Sequence, residues 1–124
     1  VSTAGDLNSY GFDDIIIGIQ LGYCDNILIE NNNFEDNSEC SVRLYDSEYI
    51  TISGNTMDGG NGIDFWLADH NTIISNTIMN SNIAINLYQS NYNRFESNNI
   101  LNNYFALWML NYCHGNIIER RNRG

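Results

Sequence analysis

The sequence predicts an all-β solenoid, a parallel β-helix of about five coils with a repeat of about 22 residues. The first observation behind this is a template that returns along the chain. Ile50-Thr51-Ile52-Ser53-Gly54-Asn55-Thr56-Met57 places apolar residues at its first, third and eighth positions and asparagine at its sixth. The same pattern returns as Ile27, Ile29, Asn32 and Phe34, as Ile73, Asn76 and Ile78, and as Phe95, Asn98 and Ile100. The asparagines step from 32 to 55, 76 and 98, which is 23, 21 and 22 residues. The second observation is an alternating segment ahead of each copy, such as Gly62-Ile63-Asp64-Phe65 or Ala84-Ile85-Asn86-Leu87. Alternation of this kind marks a strand with one buried face. The third is composition: 22 Asn and 17 Ile with no Pro and no Lys. Branched isoleucine suits a pleated strand, and asparagine suits turns and left-handed corners.

Taken in order, the alternating segments are Gly18-Ile19-Gln20-Leu21, Ser41-Val42-Arg43-Leu44, the two above, and Ala106-Leu107-Trp108-Met109. Three residues past each comes a small side chain: Cys24, Ser47, Ala68 or Ser90. The fifth copy is looser, with Tyr112 or Cys113 at that position, then Ile117, and Arg120 where asparagine is expected. A degraded first copy is expected from Asn8 and Tyr10 into Ile15–Ile17. Ile50-x-Ile52-x-x-Asn55-x-Met57 also satisfies the leucine-rich repeat template. That fold follows its strand with a helical or extended return, whereas here turn residues lead into another alternating strand. Two or three strands per coil are expected, with inward Ile, Leu, Val and Phe stacked on their equivalents.

Residues 1–124 read as a single β-helix segment, expected to be part of a longer chain. The net charge is -10, and residues 1–119 set Arg43 and Arg94 against 15 acids. Such a surface repels phosphate backbones and excludes nucleic acid as a partner, while it suits neutral sugars or divalent cations. No apolar run has the length of a membrane span, and no signal peptide is visible. Cys24, Cys40 and Cys113 lack metal-ligand spacing. Cys24 and Cys113 fall near one column four coils apart, roughly 19 Å, beyond disulfide reach. All three are expected to be buried free thiols.

The ladder Asn32, Asn55, Asn76 and Asn98 is expected to be structural. Asparagine tolerates the left-handed conformation of a corner, and identical amides one strand spacing apart can bond to each other and to the backbone.

The repeat small-Ile-x-Leu-x-x-Ser-x-x-Asn-x-Ile-x-x-Asn-x-Ile resembles the right-handed parallel β-helix repeat of the pectate-lyase-like superfamily. It is most similar to the NosD-like and carbohydrate-binding/sugar-hydrolysis (CASH) groups. Ala84-Ile85-Asn86-Leu87, Ser90, Asn93, Phe95, Asn98 and Ile100 carry the match, which covers roughly residues 8–119. Families with this repeat include polysaccharide lyases, glycoside hydrolases, uronate epimerases, surface proteins, and a periplasmic factor linked to copper-enzyme maturation. The resemblance implies an extracellular, cell-surface or periplasmic location. Its motifs specify coil geometry rather than chemistry.

Outward positions on successive coils form vertical stripes. One stripe reads Gln20, Arg43, Asp64, Asn86 and Trp108; two positions on, the next reads Gly22, Tyr45, Trp66, Tyr88 and Leu110. Tyr45, Trp66 and Tyr88, with Arg43 and Asp64 beside them, are the candidate carbohydrate site, because flat aromatic faces suit the C–H faces of sugars. The other account of these aromatics is a stack that shields a corner or packs against another part of the protein. For catalysis, Asp64 and Asp46 lie on adjacent coils, within range of a glycosidase pair. Arg43, Tyr45 and Asp64, with His70 nearby, supply the groups an epimerase or lyase needs. No catalytic motif is visible, and a plain Arg43–Asp64 cross-strand ion pair explains the charges as well. No cofactor is expected. Met109 with Cys113-His114 looks copper-like, but Met109 and Met57 fall in core columns, and the acidic turns repeat no calcium-ligand pattern.

The expected function is thus a carbohydrate-interacting segment of an extracellular or cell-surface protein. Beside it stand a structural or assembly module of an envelope layer or filament, with uncapped coils associating end to end, and a fragment of a polysaccharide lyase, hydrolase or epimerase.

Overall fold

The computed structural model describes residues 17–119. The degraded first copy, apart from Ile17, and Arg120 lie outside these residues. Each coil has three strands, and like strands stack into three parallel sheets. The first sheet holds the six-residue strands β1 (Ile17–Gly22), β4 (Cys40–Tyr45), β7 (Asn61–Trp66), β10 (Ile83–Tyr88) and β13 (Phe105–Leu110). The second is built from the three-residue strands β2 (Leu28–Glu30), β5 (Thr51–Ser53), β8 (Thr72–Ile74), β11 (Arg94–Glu96) and β14 (Ile117–Glu119). The third comprises β3 (Asn33–Glu35), β6 (Thr56–Asp58), β9 (Thr77–Met79) and β12 (Asn99–Leu101). The architecture is the parallel β-helix that the repeat predicts.

In the template, Ile52 is the middle of β5 and Met57 the middle of β6, and both are fully buried. Short strands with one inward residue flanked by two outward ones are what a three-residue edge between corners allows. Ile29, Ile52, Ile73 and Phe95 are registered partners in the second sheet, as are Phe34, Met57, Ile78 and Ile100 in the third. Opposite them stand Val42, Leu44, Ile63, Phe65, Ile85 and Leu87 from the first sheet, closing one continuous core.

The small residue that opens each alternating segment has a steric cause. A Cβ built on Gly62 would lie 2.6 Å from Ile78 Cγ2, and one on Gly18 would lie 2.7 Å from Phe34 Cδ1. The chain bends inward here, so Gly62 and Ile63 are both buried, and strict alternation starts only after the bend.

The corners correct one expectation. The ladder asparagines do not adopt the left-handed conformation. The residue immediately before each does: Asn31 (φ 56°), Gly54 (64°), Ser75 (57°) and Ser97 (55°). The asparagine itself is not at positive φ and turns its amide along the stack.

Candidate functional site

The outer face of the first sheet aligns the two predicted stripes. Gln20, Arg43, Asp64, Asn86 and Trp108 are successive registered partners, and so are Gly22, Tyr45, Trp66, Tyr88 and Leu110. Alternation along β4 and β7 puts Arg43 and Tyr45, and Asp64 and Trp66, on one face about 7 Å apart along each strand.

Arg43 Nη2 donates to Asp64 Oδ2 at 2.9 Å and also to Glu39 Oε1. Burial disfavours its charge, but the bonds to Asp64 and Glu39 outweigh this and raise its pKa. Asp64 is 3% exposed, and its Oδ1, Arg43 Nε and Asn86 Oδ1 are buried without hydrogen-bond partners. Cys40 sits against this cluster, fully buried. Burial, then the Asp64 carboxylate, pushes its thiol up to about 12. The cluster is a largely buried polar floor beside the aromatic stripe.

The stripe itself divides into pairs. Trp66 and Tyr88 have ring centroids 4.8 Å apart and tilted by 34°, while Tyr45 meets Tyr23 edge-on at 5.4 Å. The hydrogen bond and proximity of Tyr45 raise the Tyr23 phenol above its ordinary pKa. No ring contact joins Tyr45 to Trp66, whose side chains are 37% and 39% exposed; Tyr88 is half-buried. The column thus has a break between its two most accessible central members.

Asp46, the proposed partner of Asp64, lies exposed on the left-handed corner after Tyr45 (φ 45°). His70 is drawn away into a stack between Tyr49 and Tyr92, with centroids at 5.6 and 5.2 Å. Tyr49, His70 and Tyr92 are all in the left-handed conformation, and Gly115 follows them in the same conformation beneath the Tyr92 ring. Neither Glu39 nor this second stack was evident from sequence. Glu39 lies outside the alternating segment, and a tyrosine such as Tyr49 or Tyr92 signals no left-handed corner.

The coils beneath the site are tied by amides. Asn55 Nδ2 donates to Asn76 Oδ1 at 3.0 Å and to Ile29 O at 2.9 Å, and its backbone N–H shares Asn76 Oδ1 at 2.9 Å. Asn32 repeats the bonds to Asn55, and Asn76 repeats them to Asn98. A second column, Asn71, Asn93 and Asn116, runs under the corner that follows the first sheet, and Asn71 Oδ1 accepts from Ile50 N–H. The sequence signal for it was there in Asn93, but Ile27 and Ile50 occupy the same position in earlier coils. Ser47 and Ser90 add hydroxyl bonds to Cys24 N–H and Ala68 N–H. Cys113, one residue later than strict periodicity would put it, takes the Ser90 position, its sulfur 3.3 Å from Leu110 O. All three cysteines are free; only Cys40 is fully buried, so the expectation holds for it and not for the half-buried Cys24 and Cys113.

Three parallel strands per coil with amide ladders at the corners define a β-helix repeat protein. Residues 2–121 match the family described as "Periplasmic copper-binding protein (NosD)", and the chain belongs to that family. No curated protein matches the chain, and no solved structure does. The family description is periplasmic, in keeping with the location the repeat implies. No helix among the described residues is long and apolar enough to cross a membrane.

Among the described residues no group of three or more His, Cys, Asp or Glu is placed to hold a metal ion. Met57 is sealed in the core, whereas Met109, expected in a core column, is half exposed because β13 is the last strand of its sheet among the described residues. Cys113 points at backbone carbonyls.

Proposed function

We propose that this chain is a glycan-binding β-helix module of the periplasm or cell envelope, with Tyr45, Trp66 and Tyr88 as its sugar platform. The observation that carries this reading is the registered outward column in which Tyr45 and Trp66 stay more than a third exposed beside a buried polar floor. A rigid sheet that presents aromatic rings at one strand spacing offers repeated apolar surface to a repeating chain of sugars, at little cost in ordering.

A lyase or epimerase role is less well supported, because Arg43 already serves two carboxylates and is not free to neutralise a uronate. A structural module without ligand is favoured by one observation: the rings partly satisfy each other, Trp66 with Tyr88 and Tyr45 with Tyr23. In that case β13, β14 and β12, which end the three sheets among the described residues, are the surfaces for end-to-end association.

The test is a binding screen against neutral and acidic polysaccharides, with Trp66→Ala as the control. Binding that shifts Trp66 fluorescence and disappears in the variant supports the platform. Binding that survives Trp66→Ala, or no binding to any glycan, refutes it.

A further inference from the structure

We infer that Glu39 is a specificity determinant of the aromatic platform, which makes the site selective for uncharged glycans and closes it to uronates. This rests on the platform reading above. Arg43 is the one cation on the outer face of the first sheet among the described residues, and Arg94 belongs to the second sheet. A sheet with a free arginine beside an aromatic column would attract acidic sugars. Here the guanidinium is shared between two carboxylates, Asp64 from the next coil and Glu39 from the residue before its own strand. One positive and two negative charges leave the floor of the site with a net negative charge.

The two acids play different parts. Asp64 is 5% exposed at its side chain and belongs to the buried floor, whereas Glu39 is 44% exposed to solvent. Exposed Asp46 and half-buried Glu48 lie on the corner just past Tyr45 and reinforce the same sign. A uronate laid along Tyr45 and Trp66 would sit about 7 Å along the strand from Arg43, the residue whose two acidic partners carry this excess charge. At that range repulsion is effective at low salt and fades as salt screens it. A neutral sugar meets no such penalty.

The experiment titrates the protein with a neutral β-glucan and with polygalacturonate, at low and at physiological salt. Glu39→Gln is compared with Glu35→Gln, which removes the same charge from β3 in the third sheet. The expected result is binding of the glucan with none or far less of polygalacturonate. Glu39→Gln should strengthen polygalacturonate binding at low salt by about fivefold, the scale of one exposed charge interaction, and leave glucan binding unchanged. Glu35→Gln should alter neither. Equal effects of the two variants would assign the selectivity to net charge and overturn the role of Glu39. Wild-type binding of polygalacturonate as tight as that of the glucan would overturn it too; if Trp66→Ala abolished both, the platform itself would stand. Binding of neither polymer would remove platform and selectivity together.

Discussion

The amide oxygen of Asn98 accepts two hydrogen bonds from Asn76, one from the backbone N–H at 3.0 Å and one from Nδ2 at 3.1 Å. One side chain thus fixes both the height and the rotation of the neighbouring corner. Asn76 also donates to Ile52 O and Ile74 O, and its own oxygen accepts twice from Asn55.

Asn76→Leu should therefore be among the costlier single substitutions. It leaves the buried backbone N–H of Asn55 without its acceptor and removes one bond each from the Asn55 amide, Ile52 O and Ile74 O. The unpaired N–H costs about 1–3 kcal/mol and each lost bond about 1 kcal/mol, so a loss of about 3 kcal/mol or more is expected in urea unfolding. Unfolding at the wild-type midpoint would show the ladder to be dispensable.

Two glycines on the first sheet make a contrast. Gly62→Ala would drive a methyl group into Ile78 and the Ala84 carbonyl, while a Cβ at Gly22 meets nothing within 4 Å. Overpacking of this kind costs about 2 kcal/mol. Thermal unfolding should register a clear drop for Gly62→Ala and almost none for Gly22→Ala; equal midpoints would contradict the inward bend of the strand.

Cys40 gives the stability a dependence on alkaline pH. Its folded value of about 12 lies above the ordinary value of 9.0, so the fold favours the protonated thiol. That contribution is intact below about pH 9 and fades as pH climbs towards about 12. Between these limits the wild type should lose more stability than Cys40→Ala, measured by urea unfolding across the range. Parallel curves for the two proteins would show that the thiol is not destabilised as an anion.

Much of the architecture was legible because each coil repeats the same demands. Asn55 and Ile52 recur by column, so the period, the strands and the registered stripes through Tyr45 and Trp66 follow from counting. What was hidden lies where a column changes residue type or shifts by one. Ile27 and Ile50 mask the column of Asn71 and Asn93, and the extra residue at Tyr112 displaces Cys113. Asn26, Asn31, Asn80, Asn102 and Asn111 do take left-handed corners, but the ladder asparagines were misplaced onto them because preference was read as occupancy. In the fold the neighbour takes the strain, and the amide is kept for bonding between coils. Leu67 and Tyr92 occupy such corners with no local preference for them (φ 53° and 55°), since the closure of the coil, rather than the residue, dictates the conformation. The pairing of Glu39 with Arg43 depends on the bend of β4, which no spacing rule encodes.

The amide columns have a direction. In each, the donor belongs to the earlier coil and the accepting oxygen to the later one, from Asn32 to Asn98 and from Asn71 to Asn116. A coil is therefore an arrow rather than a disc. A tandem duplication of one period offers the next arrow the oxygen it needs, so the fold can lengthen by copying. An inverted neighbour would set oxygen against oxygen at its corners, and the same chemistry that welcomes another turn forbids a mirror-wise joint.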